Sequence, residues 1–101
     1  MNLPTELDFL GHCVTIHYLD KEACEAACGH PLGGYNFHKL EIYVNKLMPQ
    51  SRQEETLLHE ISEMLLYYAD GFERDNEFDH LAFQKWISML YAIMKQNGII
   101  N

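Results

Sequence analysis

The chain has 101 residues, of which 48% are hydrophobic and 22% are charged, and its formal net charge is −8. This composition excludes a disordered chain, and the scarcity of Lys and Arg argues against direct binding to nucleic-acid phosphates. The longest apolar run, residues 64–69, is too short to cross a bilayer. We therefore expect one folded domain over residues 1–101, with no membrane contact. Three cysteines and no export signal favour a cytoplasmic protein with reduced thiols.

The first half of the chain predicts a small sheet. Residues 12–19 alternate as a half-buried strand does, and residues 20–29 suit a short helix or turn that ends at Gly29. The segment GGYNFHKLEIYVN predicts a hairpin, with YNF and LEIYV as strands and a turn near His38 and Lys39.

Two long helices are predicted in the second half. The first opens near Ser51, which has capping-box spacing with Glu54, and stops before Gly71. Its predicted core stripe is Leu57, Ile61, Met64 and Tyr68, joined by Leu58 and Leu65. The second runs from about residue 76 to residue 97, with a stripe of Phe83, Trp86, Ile87, Leu90, Ile93 and Met94. The predicted fold class is α+β: a small three-stranded antiparallel sheet followed by two long packed helices.

The first long helix contains the segment HEISE, residues 59–63. His59 and Glu63 are one turn apart, so both side chains can reach one metal ion, and Glu60 lies close to them in projection. We expect these residues to lie away from the core stripe, at the edge of a cleft. The alternative is an ordinary solvated helix face, because H-E-x-x-E is a weaker pattern than the H-E-x-x-H of zinc proteases.

The segments GYNFHKLEIYV, QEETLLHEISEML and LAFQKWISMLYAIMKQNG together resemble the small zincin-like proteins of phages and mobile elements. These proteins are relatives of the ImmA/IrrE metallopeptidase group. The resemblance implies a minimal zincin-like domain in which His59 is a metal ligand and Glu60 is the general base that takes a proton from metal-bound water. Glu63 stands where the family pattern has its second histidine.

The resemblance further implies that the third ligand comes from the following helix. His80 is the first candidate and Glu77 the second, while an exposed histidine at a helix N-terminus is the alternative for His80. Two histidines and a carboxylate would bind a divalent metal, with zinc as the first expectation and manganese or iron(II) as alternatives.

Three functions follow as hypotheses. The first is a metallopeptidase whose peptide or protein substrate pairs with an edge strand, either LEIYV or YNF, in a cleft that a homodimer could complete. The second is a non-catalytic acidic protein, a phage or mobile-element regulator that binds or inhibits a partner on a degenerate zincin scaffold. The third is an acidic mimic of nucleic acid.

Cys24, Cys28 and His30, with His12 and Cys13 upstream, could form a second metal site. Their spacing differs from that of a C-x2-C knuckle, and small buried cysteines are the alternative explanation.

Overall fold

The computed structural model describes residues 3–70 and 80–96. Its elements are β1 (Glu6–Phe9), β2 (His12–Leu19), α1 (Lys21–Cys28), β3 (Gly33–Asn36), β4 (Glu41–Asn45), α2 (Gln50–Asp70) and α3 (His80–Gln96). The strands form one sheet in the order β1-β2-β4-β3. The predicted α+β class is confirmed, and the helices of the described part number three.

The sheet is mixed, so the predicted three-stranded antiparallel sheet is wrong in detail. The β3–β4 hairpin is antiparallel as expected, but β2 and β4 are parallel neighbours. Parallel neighbours need a crossover connection, and α1 and β3 supply it. The second strand of the predicted hairpin, β4, therefore pairs with β2, so β4 lies inside the sheet.

Strand β1 is absent from the sequence-based prediction. It pairs with β2 through a tight turn in which Leu10 and Gly11 both have positive φ angles, 53° and 91°. The Gly11 N–H donates to Asp8 Oδ1 at 2.7 Å, which stabilises the turn. Turns of this type usually contain Asn-Gly or Asp-Gly, because both positions need a positive φ angle. Here Leu10 occupies the first position, which is uncommon, so the sequence lacks the usual signal for the turn.

Helix α1 matches the prediction of a short helix ending at Gly29. The Asp20 side chain accepts a hydrogen bond from the Ala23 N–H at 2.8 Å and so caps the start. Gly29 adopts a left-handed conformation with φ of 83°, and its N–H bonds to the Glu25 carbonyl. Both ends of this helix therefore have a local cause in the sequence.

Strand β4 is buried on both faces. Ile42 and Val44 pack with Leu57 and Met64 in the main core, so this face of the sheet carries α2. Tyr43 points to the other face, because successive strand residues alternate, and it is also buried. The central position of β4 explains why it lacks the polar outer face of an ordinary hairpin strand.

Two glycines at the start of β3 allow the helices to approach. A β-carbon on Gly33 would lie 2.7 Å from Thr56 Cγ2 of α2. One on Gly34 would lie 2.8 Å from Cys28 Sγ of α1. Larger residues at either position would push a helix away from the strand.

The start of α2 corrects the predicted capping box. The helix begins at Gln50, and the Pro49 carbonyl accepts hydrogen bonds from the Arg52 and Gln53 N–H groups. Ser51 therefore lies inside the helix and is exposed. Glu54 does not cap the helix, because its buried carboxylate bonds to residues of α3.

The buried side of α2 also differs from the predicted stripe. Leu57 and Met64 are fully buried as expected, but Leu65 and Tyr68 are 45% and 48% exposed. The buried arc extends instead toward Glu60, which lies only about 60° from Leu57 around the helix axis. In α3, Ile87 is buried whereas Trp86 is 53% exposed. The predicted start of this helix near residue 76 and the side chains of Ile93 and Met94 lie outside the described residues.

Candidate metal centre

The middle of α2 brings three ligand-type side chains together. His59, Glu60 and Glu63 each offer one ligand atom, and these atoms all lie within 4.8 Å of one another. Glu60 and Glu63 are only 5% and 4% exposed. The sequence correctly predicted the grouping, but the two carboxylates are buried rather than set on a helix face away from the core.

His59 is held from two sides. Its Nε2 atom lies 2.6 Å from Glu63 Oε2, one helical turn away. The ring of Phe83 from α3 packs edge-on against the imidazole, with 5.1 Å between ring centroids. These contacts restrict the ring orientation, which a metal ligand needs.

The cluster opens onto a cleft of about 480 Å³. His59 and Glu60 line it, together with the chain leading into β3 and one side of α3. Glu63 is not among the lining residues, and it is buried in contact with His59. A small molecule or a peptide in the cleft would therefore lie against His59 and Glu60.

The position of the predicted third ligand is fixed only at the backbone. His80 is the first residue of α3, and its side chain lies outside the described residues, as does all of Glu77. Tyr91 contacts Glu54 and Phe83 contacts His59, so α2 and α3 run antiparallel. The start of α3 therefore lies beyond the level of His59, toward Glu63. This backbone position is compatible with the prediction and does not test it.

The donor set fits a divalent cation. Imidazole nitrogen and carboxylate oxygen are both ligands of zinc, and the added carboxylate also suits manganese and iron(II). Two ligand atoms of one tetrahedral ion lie about 3.3 Å apart. The distance between His59 Nε2 and Glu63 Oε2 would therefore increase by less than about 1 Å on metal binding. A divalent cation would offset the charge that these two buried carboxyl groups carry when they are ionised.

A third buried carboxylate on α2 was missed by the sequence analysis. Glu54 is 1% exposed and accepts hydrogen bonds from the Tyr91 hydroxyl at 2.6 Å and the Lys95 ammonium at 3.3 Å. Burial would raise the pKa of Glu54, but the bonds from Tyr91, Lys95 and Gln50 outweigh it and lower the pKa below its ordinary value. No local signal predicts this contact, because its partners are about 40 residues away along the chain.

The sheet carries a third polar group that sequence reasoning left without partners. His17 Nε2 lies 3.2 Å from Glu41 Oε2, and the Tyr43 hydroxyl donates to the other Glu41 oxygen. The His17 and Tyr43 rings are stacked, with 5.6 Å between centroids. The Tyr43 hydrogen bond is the main cause that lowers the pKa of Glu41. Strand pairing of His17 with Tyr43 produces the group, so the register had to be known to find it.

The cysteines do not form a second centre. Among the described residues, the cluster on α2 is the one group with metal-binding geometry. Cys24 is buried, which raises the pKa of its thiol to about 12, and Cys28 Sγ donates to the Cys24 carbonyl. Cys13 is exposed on β2. The buried-cysteine alternative therefore describes Cys24.

The fold and the site define an α+β domain with a candidate metal centre on its longest described helix. Comparisons with protein-family models, curated proteins and solved structures find no match for this chain. None of the helices in the described ranges combines the length and the apolar character that crossing a bilayer requires.

Proposed function

We propose that the protein is a zincin-like metalloprotein that hydrolyses peptides. In this proposal His59, Glu63 and His80 hold a divalent cation, with zinc first and manganese or iron(II) as alternatives. The observation that carries the proposal is the convergence of His59, Glu60 and Glu63 beside a cleft. The similarity to ImmA/IrrE-type proteins stays a prediction.

The residues divide the chemistry between them. A bound cation supplies the positive charge that makes a coordinated water acidic at neutral pH. In this proposal Glu60, which borders the cleft, takes a proton from the attacking water and returns it to the leaving amine. Glu63 in place of a histidine adds negative charge, which reduces the acidity of that water and favours harder ions.

The cleft suggests how a peptide would bind. Strand β4 is flanked by β2 and β3, so LEIYV cannot accept another strand, and that part of the prediction is wrong. Strand β3 is at the sheet edge in the described part of the chain, and its first residue, Gly33, borders the cleft. An extended peptide could pair there with main-chain hydrogen bonds.

The test uses the Glu60→Gln variant, which keeps the size of the side chain and removes the base. Wild type and variant would be loaded with zinc, manganese or iron(II), incubated with a library of peptides, and compared by mass spectrometry. We expect cleavage by the wild type and a loss of about 100-fold or more in the variant, with metal retained by both. Glu22→Gln, an exposed site on α1, is the matched control. An identical cleavage pattern in wild type and Glu60→Gln would contradict the proposal.

A second candidate is a non-catalytic acidic protein that binds a partner on the same scaffold. The direct contact between His59 and Glu63 favours it, because that contact links two residues of α2 without a metal. Bound metal with no cleavage of any library peptide would support this candidate. A nucleic-acid mimic is less well supported, because Glu54, Glu60 and Glu63 are buried and add no carboxylates to the surface.

A further inference from the structure

The cleft differs in charge from the rest of the chain. The protein has 7 Lys and Arg residues against 15 Asp and Glu. Of the described residues that line the cleft, Arg52 and Lys85 are cationic, Glu55 and Glu60 are acidic, and His30 and His59 are histidines. Among the described residues, the excess of negative charge that marks the chain is therefore absent from the lining of this cleft.

The two cations are placed differently. Arg52 lies 3.5 Å from Glu55 and its side chain is 61% exposed, so it retains donors that face solvent. Lys85 is exposed on α3, and no carboxylate of the described residues forms an ion pair with it. Lys95 on the same helix is different, because it is bound to buried Glu54. Lys85 therefore has its charge available for a bound molecule.

The distance between Arg52 and Glu60 limits how many peptide residues can separate an acidic side chain from the cleaved bond. Arg52 and Glu60 are separated by about 12 Å along α2. That distance accommodates about four residues of an extended peptide. A peptide whose scissile bond lies at Glu60 thus passes the cationic side chains within a few residues. Leu32 and Leu81 are exposed and line the cleft, so they add apolar surface that the peptide could contact.

We infer that the cleft selects an extended peptide with acidic side chains close to the bond that is cleaved, and that Lys85 and Arg52 are the residues that recognise the carboxylates. This inference rests on the proposed function for the position of the scissile bond. The recognition itself is electrostatic, so it weakens as the salt concentration rises.

The test measures binding and does not depend on cleavage. The probes are three pentapeptides blocked at both ends, alternating valine with glutamate, glutamine or lysine, so that only side-chain charges differ. They would be titrated into ¹⁵N-labelled full-length Glu60→Gln protein by NMR, with and without zinc. We expect the glutamate peptide to bind about fivefold more tightly than the glutamine peptide, and the lysine peptide to bind most weakly.

Charge reversal identifies the residues responsible. Lys85→Glu should abolish the preference for glutamate over glutamine, and Arg52→Glu should reduce it. Lys39→Glu changes the net charge equally in the exposed β3–β4 turn and should leave the preference intact. Equal binding of the glutamate and glutamine peptides, or equal effects of Lys85→Glu and Lys39→Glu, would overturn the inference.

The outcome is separable from that of the proposed function. Preference for the glutamate peptide in protein that takes up no zinc would support the cleft inference and remove the metal centre. Zinc bound at His59 in protein with no such preference would retain the centre and overturn the inference.

Discussion

Helix α2 carries two buried acidic sites that differ in what surrounds them. Glu54, near the start of the helix, accepts hydrogen bonds from a hydroxyl and an ammonium group of α3. Glu60 and Glu63, in its middle, lie beside each other with His59 as the nearby nitrogen donor. The first site has a cationic partner on α3, whereas the second groups two buried carboxylates with an imidazole of the same helix. The contrast separates a carboxylate that holds two helices together from carboxylates suited to a cation.

The largest expected effect is at the first site. Glu54→Ala should lower the free energy of unfolding by about 3 kcal/mol, because it leaves the Lys95 ammonium and the Tyr91 hydroxyl without their buried acceptor. Chemical denaturation monitored by circular dichroism would measure it. A change below about 0.5 kcal/mol would show that this network does not hold α2 against α3.

The Glu54 carboxylate should also make the free energy of unfolding depend on pH. Its pKa is lower in the folded protein than the ordinary value of 4.5, so its stabilising contribution is complete above that value. The contribution is lost as the pH falls through the lowered folded-state pKa. The difference in unfolding free energy between wild type and Glu54→Gln should therefore shrink from about pH 6 to about pH 3. A constant difference over this range would contradict the assignment.

At the second site the opposite sign is expected in the absence of metal. Glu60→Gln should raise the unfolding free energy of metal-free protein by about 1 kcal/mol, because it replaces one of two carboxyl groups buried within 4.8 Å of each other by a neutral amide, which costs less to bury. Thermal unfolding in the presence of a chelator would measure this. Destabilisation as large as that of Glu54→Ala would show that Glu60 stabilises the fold as Glu54 does, which would contradict the proposed difference between the two sites.

The smallest effect is expected on the exposed side of the same helix. Arg52→Gln removes the 3.5 Å contact with Glu55 and should change the unfolding free energy by less than about 0.5 kcal/mol. The same denaturation experiment provides the value. A larger change would mean that surface charge, rather than burial, distinguishes the acidic sites of α2.

The sequence predicts the local features well and the long-range ones poorly. The capped helix α1, the β3–β4 hairpin and the grouping of His59 with Glu63 follow from spacing and from residues within a few positions. The parallel pairing of β2 with β4 does not, because it joins strands separated by α1 and β3. Strand β1 was missed because four residues with two apolar side chains give too weak a pattern.

The burial of the acidic residues shows the same limit. Helical projection placed Glu60 away from the core, yet the structure covers it beside Leu57. Glu54 has the spacing of a capping residue, and only its contact with α3 reveals another role. In both cases the sequence gives the angle around α2 but not which neighbouring element covers that angle.

The central claim is that His59 and Glu63 help to hold a metal ion beside Glu60, and elemental analysis of protein purified without added metal tests it most directly. We predict close to one equivalent of zinc, manganese or iron per chain in the wild type. His59→Ala should lose that metal, and His38→Ala, at an exposed histidine, should keep it. Metal-free wild-type protein that also fails to take up added zinc, or equal metal content in both variants, would contradict the claim.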